Sequence, residues 1–211
     1  MQIYWFGETC FKIQNSDRTI LINPDSPRKA GLRGPNFKSD LLLLSDPNEE
    51  KETEKKITDE TFLISAPGEY EVKGVFIEGI PFKSQKKTTT LYRLVFDEIS
   101  FGFLGPIDDL LEDEQVEKLG TIDVLFLPVG GGDVLESKTA EKVLNSIEPK
   151  IVIPHSYQVP GLKTSRDKIE SFLKKLGKKE IEAIEKFSLS KKELLQNFSK
   201  EEIIILQPKV L

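Results

Sequence analysis

The chain has 211 residues, 38% of them hydrophobic and 31% charged, which describes a soluble globular protein large enough to bury a substantial core. Its net charge of −5 and scattered basic residues argue against a nucleic-acid partner held by general electrostatics. One cysteine, Cys10, excludes an internal disulfide and any Cys-rich metal site, and the single histidine, His155, falls short of the two or more imidazoles usual in a zinc hydrolase. The start of the sequence has neither a basic cluster nor a long apolar run, and no window approaches about 18 consecutive apolar residues. A cytoplasmic protein without a membrane span or signal peptide is expected.

In chain order, residues 2–14 alternate weakly and break at Asn15-Ser16-Asp17, and 19–22 resume as a strand, so a hairpin with its turn at 15–18 is predicted. Residues 24–38 hold three prolines and two glycines and read as irregular. Leu41-Leu42-Leu43-Leu44 reads as a strand buried on both faces, ended by Ser45-Asp46-Pro47-Asn48 and a charged run. Residues 62–65 form a short strand, 69–80 paired antiparallel strands, and 88–96 with 99–104 a hairpin through Asp97-Glu98. From Gly105-Pro106 onward helices alternate with strands. Helices are predicted at 110–119, 134–147, 164–176 and 191–197, the third started by Thr164-Ser165 and stopped by Gly177. Strands are predicted at 122–127, 150–154 and 203–206. No repeat or linker divides the chain, so one domain spanning 1–211 is expected.

The chemistry would gather where the leucine strand delivers Asp46, Asn48 and Glu50 at its carboxyl end, the usual place for a site in an α/β protein. Gly130-Gly131-Gly132, between a strand and a helix, has two readings: a backbone cradle for phosphate, or a tight connection. Ser45 and Ser156 lack a neighbouring His–Asp pair, which leaves a serine hydrolase without support. Cys10, flanked by Trp5, Phe6 and Phe11, reads as a small buried residue.

Several stretches together resemble metallo-β-lactamase-fold hydrolases, on the branch of the ascorbate-6-phosphate lactonase-like proteins. They are Ile3-Tyr4-Trp5-Phe6-Gly7-Glu8-Thr9-Cys10-Phe11, Ile20-Leu21-Ile22-Asn23-Pro24, Ala66-Pro67-Gly68-Glu69-Tyr70, Asp123-Val124-Leu125-Phe126-Leu127-Pro128-Val129-Gly130-Gly131 and Pro149-Lys150-Ile151-Val152-Ile153-Pro154. The resemblance implies a four-layer αββα sandwich, α/β in class, with a metal site at one edge between the sheets. It also shows what is missing. Where that family has His-x-His-x-Asp-His, this chain has Asp46, Asn48, Glu50 and Lys51. Pro106 stands at a ligand aspartate's place in the run Leu104-Gly105-Pro106-Ile107-Asp108-Asp109, and Ser156 at a ligand histidine's place, with His155 one residue early. Glu8 replaces a common histidine and Asn23 a common aspartate.

The remnant pocket implied by that resemblance comprises Asp46, Asn48, Glu50, Lys51, Glu69, Asp108, Asp109, His155 and Ser156. The expectation is a fold that has lost its zinc and its hydrolase activity, needs no cofactor, and binds a small molecule or a protein partner. One alternative is a phosphoester or lactone hydrolase using an oxygen-ligated Mg²⁺, Mn²⁺ or Ca²⁺. Another is a structural subunit of an oligomer.

Overall fold

A computed structural model describes residues 1–49, 53, 58, 60–198 and 201–209. Two sheets face each other. The first has strand order β12-β1-β2-β3-β4-β5, from β1 (Gln2–Trp5), β2 (Phe11–Gln14), β3 (Thr19–Ile22), β4 (Leu41–Leu43), β5 (Phe62–Ile64) and β12 (Phe187–Ser188). The second runs β13-β11-β10-β9-β8-β7-β6, from β6 (Gly68–Val72), β7 (Val75–Lys83), β8 (Thr88–Phe96), β9 (Ile99–Phe103), β10 (Val124–Pro128), β11 (Ile151–His155) and β13 (Glu202–Ile203). Each sheet changes from antiparallel to parallel pairing part-way: β3, β4 and β5 are parallel in the first, β9, β10, β11 and β13 in the second. The helices are α1 (Ser26–Lys29), α2 (Asp113–Leu119), α3 (Ser137–Ile147), α4 (Ile169–Lys175) and α5 (Lys191–Asn197). This is the αββα sandwich expected from the motifs.

The leucine run explains its own position. β4 lies between β3 and β5 and is buried on both faces, so Leu41 and Leu43 enter the core between the sheets while Leu42 joins Leu21, Phe6 and Cys10 on the outer face. Between the sheets, Phe11 of one meets Phe126 of the other with ring centroids 4.6 Å apart. Tyr92 on β8 donates its buried hydroxyl to the carbonyl of Leu44, 2.6 Å away in the opposite sheet. On the far side, α3 carries Ala140, Val143, Leu144 and Ile147 on one buried stripe and packs on β10.

Several boundaries differ from expectation. The stretch 2–14 is two strands, interrupted at 6–10, where Phe6 and Cys10 close a tight loop through a 2.9 Å bond from the Phe6 N–H to the Cys10 carbonyl. The irregular 24–38 segment contains the single turn α1, with Pro27 near its start, a position that needs no N–H. The helix expected over 164–176 begins only at Ile169, and Thr164-Ser165 do not cap it. Its missing first turns are held in tertiary bonds instead: Asp167 N–H donates to Gly130 at 2.7 Å and Gln158 N–H to Asp167 at 2.9 Å. Likewise α3 starts at Ser137 because Leu135 N–H is taken by Ile107 at 2.9 Å, and α2 starts at Asp113, where Gln115 accepts from the Glu112 N–H. The two-residue β12 has no sequence signal. No helix of the described residues is long and apolar enough to cross a membrane.

Candidate functional site

The carboxyl ends of β3, β4, β9, β10 and β11 converge at one edge with the β1–β2 loop. Three of the seven described non-glycine residues with positive φ fall here: Glu8 (46°), Asn23 (45°) and Ser156 (53°). Such conformations cost energy in ordinary residues and tend to persist where surrounding contacts enforce them.

Those contacts are specific. Asn23 and Ser45 are both buried and bonded twice: Asn23 Nδ2 donates to Ser45 Oγ at 3.0 Å, and the Ser45 N–H to Asn23 Oδ1 at 2.8 Å. The Ser45 carbonyl accepts from the Thr90 N–H (2.8 Å) and Thr89 Oγ1 (3.0 Å), which stitches the end of β4 to β8. Gly130 lies so close to β11 that a Cβ there would sit 1.8 Å from the Ser156 carbonyl oxygen. The glycine run is therefore a close-packed connection, the second of its two sequence readings.

A two-point ion pair joins residues 158 positions apart in the sequence. Arg166 donates from Nε (3.2 Å) and Nη2 (2.8 Å) to the two carboxylate oxygens of Glu8. Their side chains are 4% and 7% exposed. Arg166 Nη1 also donates to the Gly131 carbonyl at 3.0 Å and pairs with Asp133. The Trp5 indole N–H donates to the Glu8 carbonyl at 2.8 Å, so Glu8 is fixed through backbone and side chain alike. A second cation stands alongside: Lys87 Nζ donates to the carbonyls of Pro106 (2.7 Å) and Asp133. Burial lowers the Lys87 pKa; Asp133 and Asp108 pull it back up, and Arg166 adds to the depression.

His155 closes β11 and is fully buried. Its ring stacks on Phe103 (5.9 Å, 14°) and meets Phe11 edge-on (5.5 Å). Nδ1 bonds Ser156 Oγ at 3.0 Å, and no hydrogen bond reaches Nε2. Burial first, and Arg166 second, push its pKa down to about 3, against a weak opposing pull from the Phe126 backbone. It is a neutral core residue at physiological pH, shut away from solvent.

The remaining candidates scatter. Asp46 is half-buried and turns inward on its own loop, its Oδ1 accepting from the Asn48 backbone (2.9 Å) and side-chain (2.8 Å) nitrogens. Asn48 is exposed, and Glu50 and Lys51 lie outside the described residues. Glu69 is exposed on the edge strand β6. Asp109 is exposed and accepts from the Leu110 N–H at 2.8 Å. Asp108 has one buried oxygen without a hydrogen-bond partner. Among the described residues no group of three or more His, Cys, Asp or Glu could hold a metal ion. Arg166, Lys87 and Asp133 went unnoticed in the sequence, and Glu8 stood out only by its place in a motif. Nothing local marks Arg166, because its partner is 158 positions away.

Residues 2–156 match the family model of the beta-lactamase superfamily domain. The chain belongs to the beta-lactamase superfamily. Solved structures of similar shape include a candidate Zn-dependent hydrolase of the metallo-beta-lactamase superfamily from Thermotoga maritima, with a TM-score of 0.76, 24% identity and 97% of each chain covered. A candidate metal-dependent hydrolase from Parabacteroides distasonis has a TM-score of 0.66, 17% identity, and 97% of this chain and 93% of that chain covered. A metallo hydrolase from Ignicoccus hospitalis has a TM-score of 0.62, 18% identity, and 90% and 99% coverage. These likenesses concern the fold.

For this superfamily member, zinc is the group the fold implies, and the described residues do not fit it. Zinc takes imidazole, thiolate or carboxylate donors and leaves one position open. Here the one imidazole is buried among aromatic rings, the one cysteine lies in the outer apolar cluster, and the Glu8 carboxylate is spanned by a guanidinium. Pro106 offers only its carbonyl, already accepting from Lys87.

Proposed function

We propose that this beta-lactamase superfamily protein no longer hydrolyses through a zinc centre and works by binding a small molecule or a protein partner without turnover. The observation that carries this reading is the two-point pairing of Arg166 with Glu8, both buried at the sandwich edge. An arginine is charged at every accessible pH, so it cannot step aside by losing a proton as a lysine or histidine could. A metal ion entering the edge would have to displace it and bring a second positive charge beside Lys87. Water activation near neutral pH requires the opposite arrangement, an open cation with a bound water. A cytoplasmic location is part of the proposal, as is an absence of nucleic-acid partners given the acidic net charge.

Elemental analysis of protein purified without chelators tests it. The expected result is well under one equivalent of zinc, with no melting-temperature rise on adding Zn²⁺, Mn²⁺, Mg²⁺ or Ca²⁺. Stoichiometric zinc together with phosphodiesterase or lactonase turnover overturns the proposal. A divalent-ion shift abolished by Asp46→Ala would instead establish an oxygen-ligated cation site, and turnover that depends on that ion would establish the hydrolase alternative.

A further inference from the structure

A groove runs between α4, the turn that follows β11 and the chain leading to Ile184. Its wall is largely apolar: Val159, Leu173 and Ile205 are buried there, and Ile169, Ile181 and Ala183 are half-buried. Tyr157 belongs to the same wall and is anchored by a 3.0 Å hydrogen bond from its hydroxyl to the Leu206 carbonyl. The volume is ≈ 400 Å³, within the range of small-molecule sites.

Besides Tyr157, the titratable groups of the wall are three exposed carboxylates, Glu170, Glu180 and Glu182. Glu180 and Glu182 alternate with the half-buried Ile181 and Ala183, which leaves the charge at the mouth and the apolar side chains inside. Glu170 is near enough to Tyr157 to add to the rise in its pKa that burial causes. Among the described residues, no lysine or arginine stands at ion-pair distance from any of the three carboxylates. Lys174, Lys175, Lys178 and Lys179 share the same stretch of chain, yet none lines the groove. Because Ile184 and Leu206 pair in parallel, Glu180 and Glu182 lie toward the end away from Pro208. At Pro160 and Pro208 the groove adjoins a hollow lined by Arg33 and Lys209. Charge therefore divides along its length, with carboxylates at one end and cations beyond the other.

We propose that this groove binds a small organic ammonium ion, with its charge among Glu170, Glu180 and Glu182 and its apolar body along Leu173, Ile181 and Ala183. An ammonium at the mouth keeps part of its water, so it gains the field of the carboxylates without the cost of burying a charge. The ligand has no existing ion pair to break there, and its apolar body leaves water for a wall already formed. An anionic ligand of the same shape meets repulsion at the same mouth, which gives the site its sign. None of Glu8, Lys87, Asp133 and Arg166 lines the groove, and the proposal stands whether or not that edge binds or turns over a ligand.

Calorimetric titration of the intact protein with phenethylammonium, ethylammonium, 2-phenylethanol and phenylacetate tests it. Phenethylammonium should saturate a single site with a dissociation constant of about 1 mM or below. Ethylammonium shares its charge and 2-phenylethanol its ring, and each should bind about tenfold more weakly or worse. Phenylacetate should not bind. The triple variant Glu170→Gln, Glu180→Gln, Glu182→Gln alters only exposed side chains, so its melting temperature should hold. It should weaken phenethylammonium about tenfold and leave 2-phenylethanol within about twofold, and Glu170→Gln alone should weaken phenethylammonium about threefold. Glu114→Gln on α2 should leave every affinity unchanged. Four results overturn the proposal: no saturation by phenethylammonium, equal affinity for any of the other three probes, unchanged affinity in the triple variant, or an equal loss of 2-phenylethanol in that variant.

Discussion

Arg166 and Glu8 meet through two parallel hydrogen bonds of 3.2 and 2.8 Å although the chain separates them by 158 residues. The pair ties the β1–β2 loop to the segment before α4 and thereby closes the edge at which the motif resemblance implies a metal site. Buried pairs of this kind gain little over a well-packed apolar pair, but they penalise the removal of either partner. Arg166→Ala should lower unfolding free energy by about 3–5 kcal/mol because it leaves Glu8 buried and uncompensated. The double variant Glu8→Gln with Arg166→Met should recover much of that loss. Urea unfolding of the wild type, Glu8→Gln, Arg166→Met and the double gives the coupling; strict additivity would show that the two residues do not act on each other.

His155 gives the fold an acid sensitivity with a defined window. Its folded pKa lies near 3, below the ordinary value of 6.5, because the ring is buried. The unfolded chain therefore binds a proton that the folded one refuses. The resulting stabilisation is complete above pH 6.5 and is lost as pH falls from there toward 3. Within that range one proton corresponds to a slope of about 1.4 kcal/mol per pH unit. Asp123 and Asp40, whose pKa values are lowered, act below the usual aspartate value of 3.8, while Glu201, raised by burial above 4.5, adds an opposite slope just above that value, so the His155 contribution is read from the difference between wild type and variant. His155→Phe, which keeps the stack on Phe103, should flatten the slope between pH 4.5 and 6. An unchanged slope in unfolding curves measured across that range would contradict the assignment.

Gly130 is set by space, not by backbone angle. A methyl group there would meet the Ser156 carbonyl at 1.8 Å, backbone that cannot swing away. Gly130→Ala should cost more than about 2 kcal/mol, in the range of overpacked cores. Gly74 offers the contrast: no atom lies within 4 Å of its added Cβ, and its φ of +77° is the whole obstacle. Gly74→Ala should cost about 1 kcal/mol. Thermal unfolding of the two variants would separate the mechanisms.

Tyr92 binds sheet to sheet. Its hydroxyl is buried, with the Leu44 carbonyl at 2.6 Å and that of Ile64 at 3.4 Å, and burial lifts its pKa far above the ordinary phenol value. Tyr92→Phe should cost about 1–3 kcal/mol, since it strands a buried carbonyl. Faster amide exchange would appear first at Leu44 and its strand neighbours. Uniform loss of protection across both sheets would point to a global effect instead.

What the sequence revealed tracks how local each determinant is. The leucine run announced a two-face-buried strand because nothing else explains four adjacent leucines. Asp97-Glu98 marked a hairpin tip, and both residues adopt positive φ there (50° and 61°). The helix expected over 191–197 is α5, held at its start by a Ser190–Glu193 capping pair confined to one turn. The start of α4 was not legible, because residues before Ile169 have helical composition but commit backbone donors to the Gly130 carbonyl and the Gln158 side chain. The candidate site was legible as a set of substitutions in motif positions and not as geometry. His155 stands out in the sequence as the single histidine, yet its burial among Phe11 and Phe103 depends on strands far apart in the chain. The cations that fill the edge carry no local signature at all.

The placement of β1 bears on how the protein emerges from the ribosome. One side of that strand pairs with β2 almost at once, but the other is covered by residues 187–188 at its start and by Pro208 and Lys209 at its end. Until nearly two hundred further residues have been synthesised, a hydrophobic ribbon that includes Ile3 and Trp5 must wait with a row of open backbone donors and acceptors. The nascent chain is therefore exposed to misassociation along this strand for as long as it takes to make the distant segment that covers it.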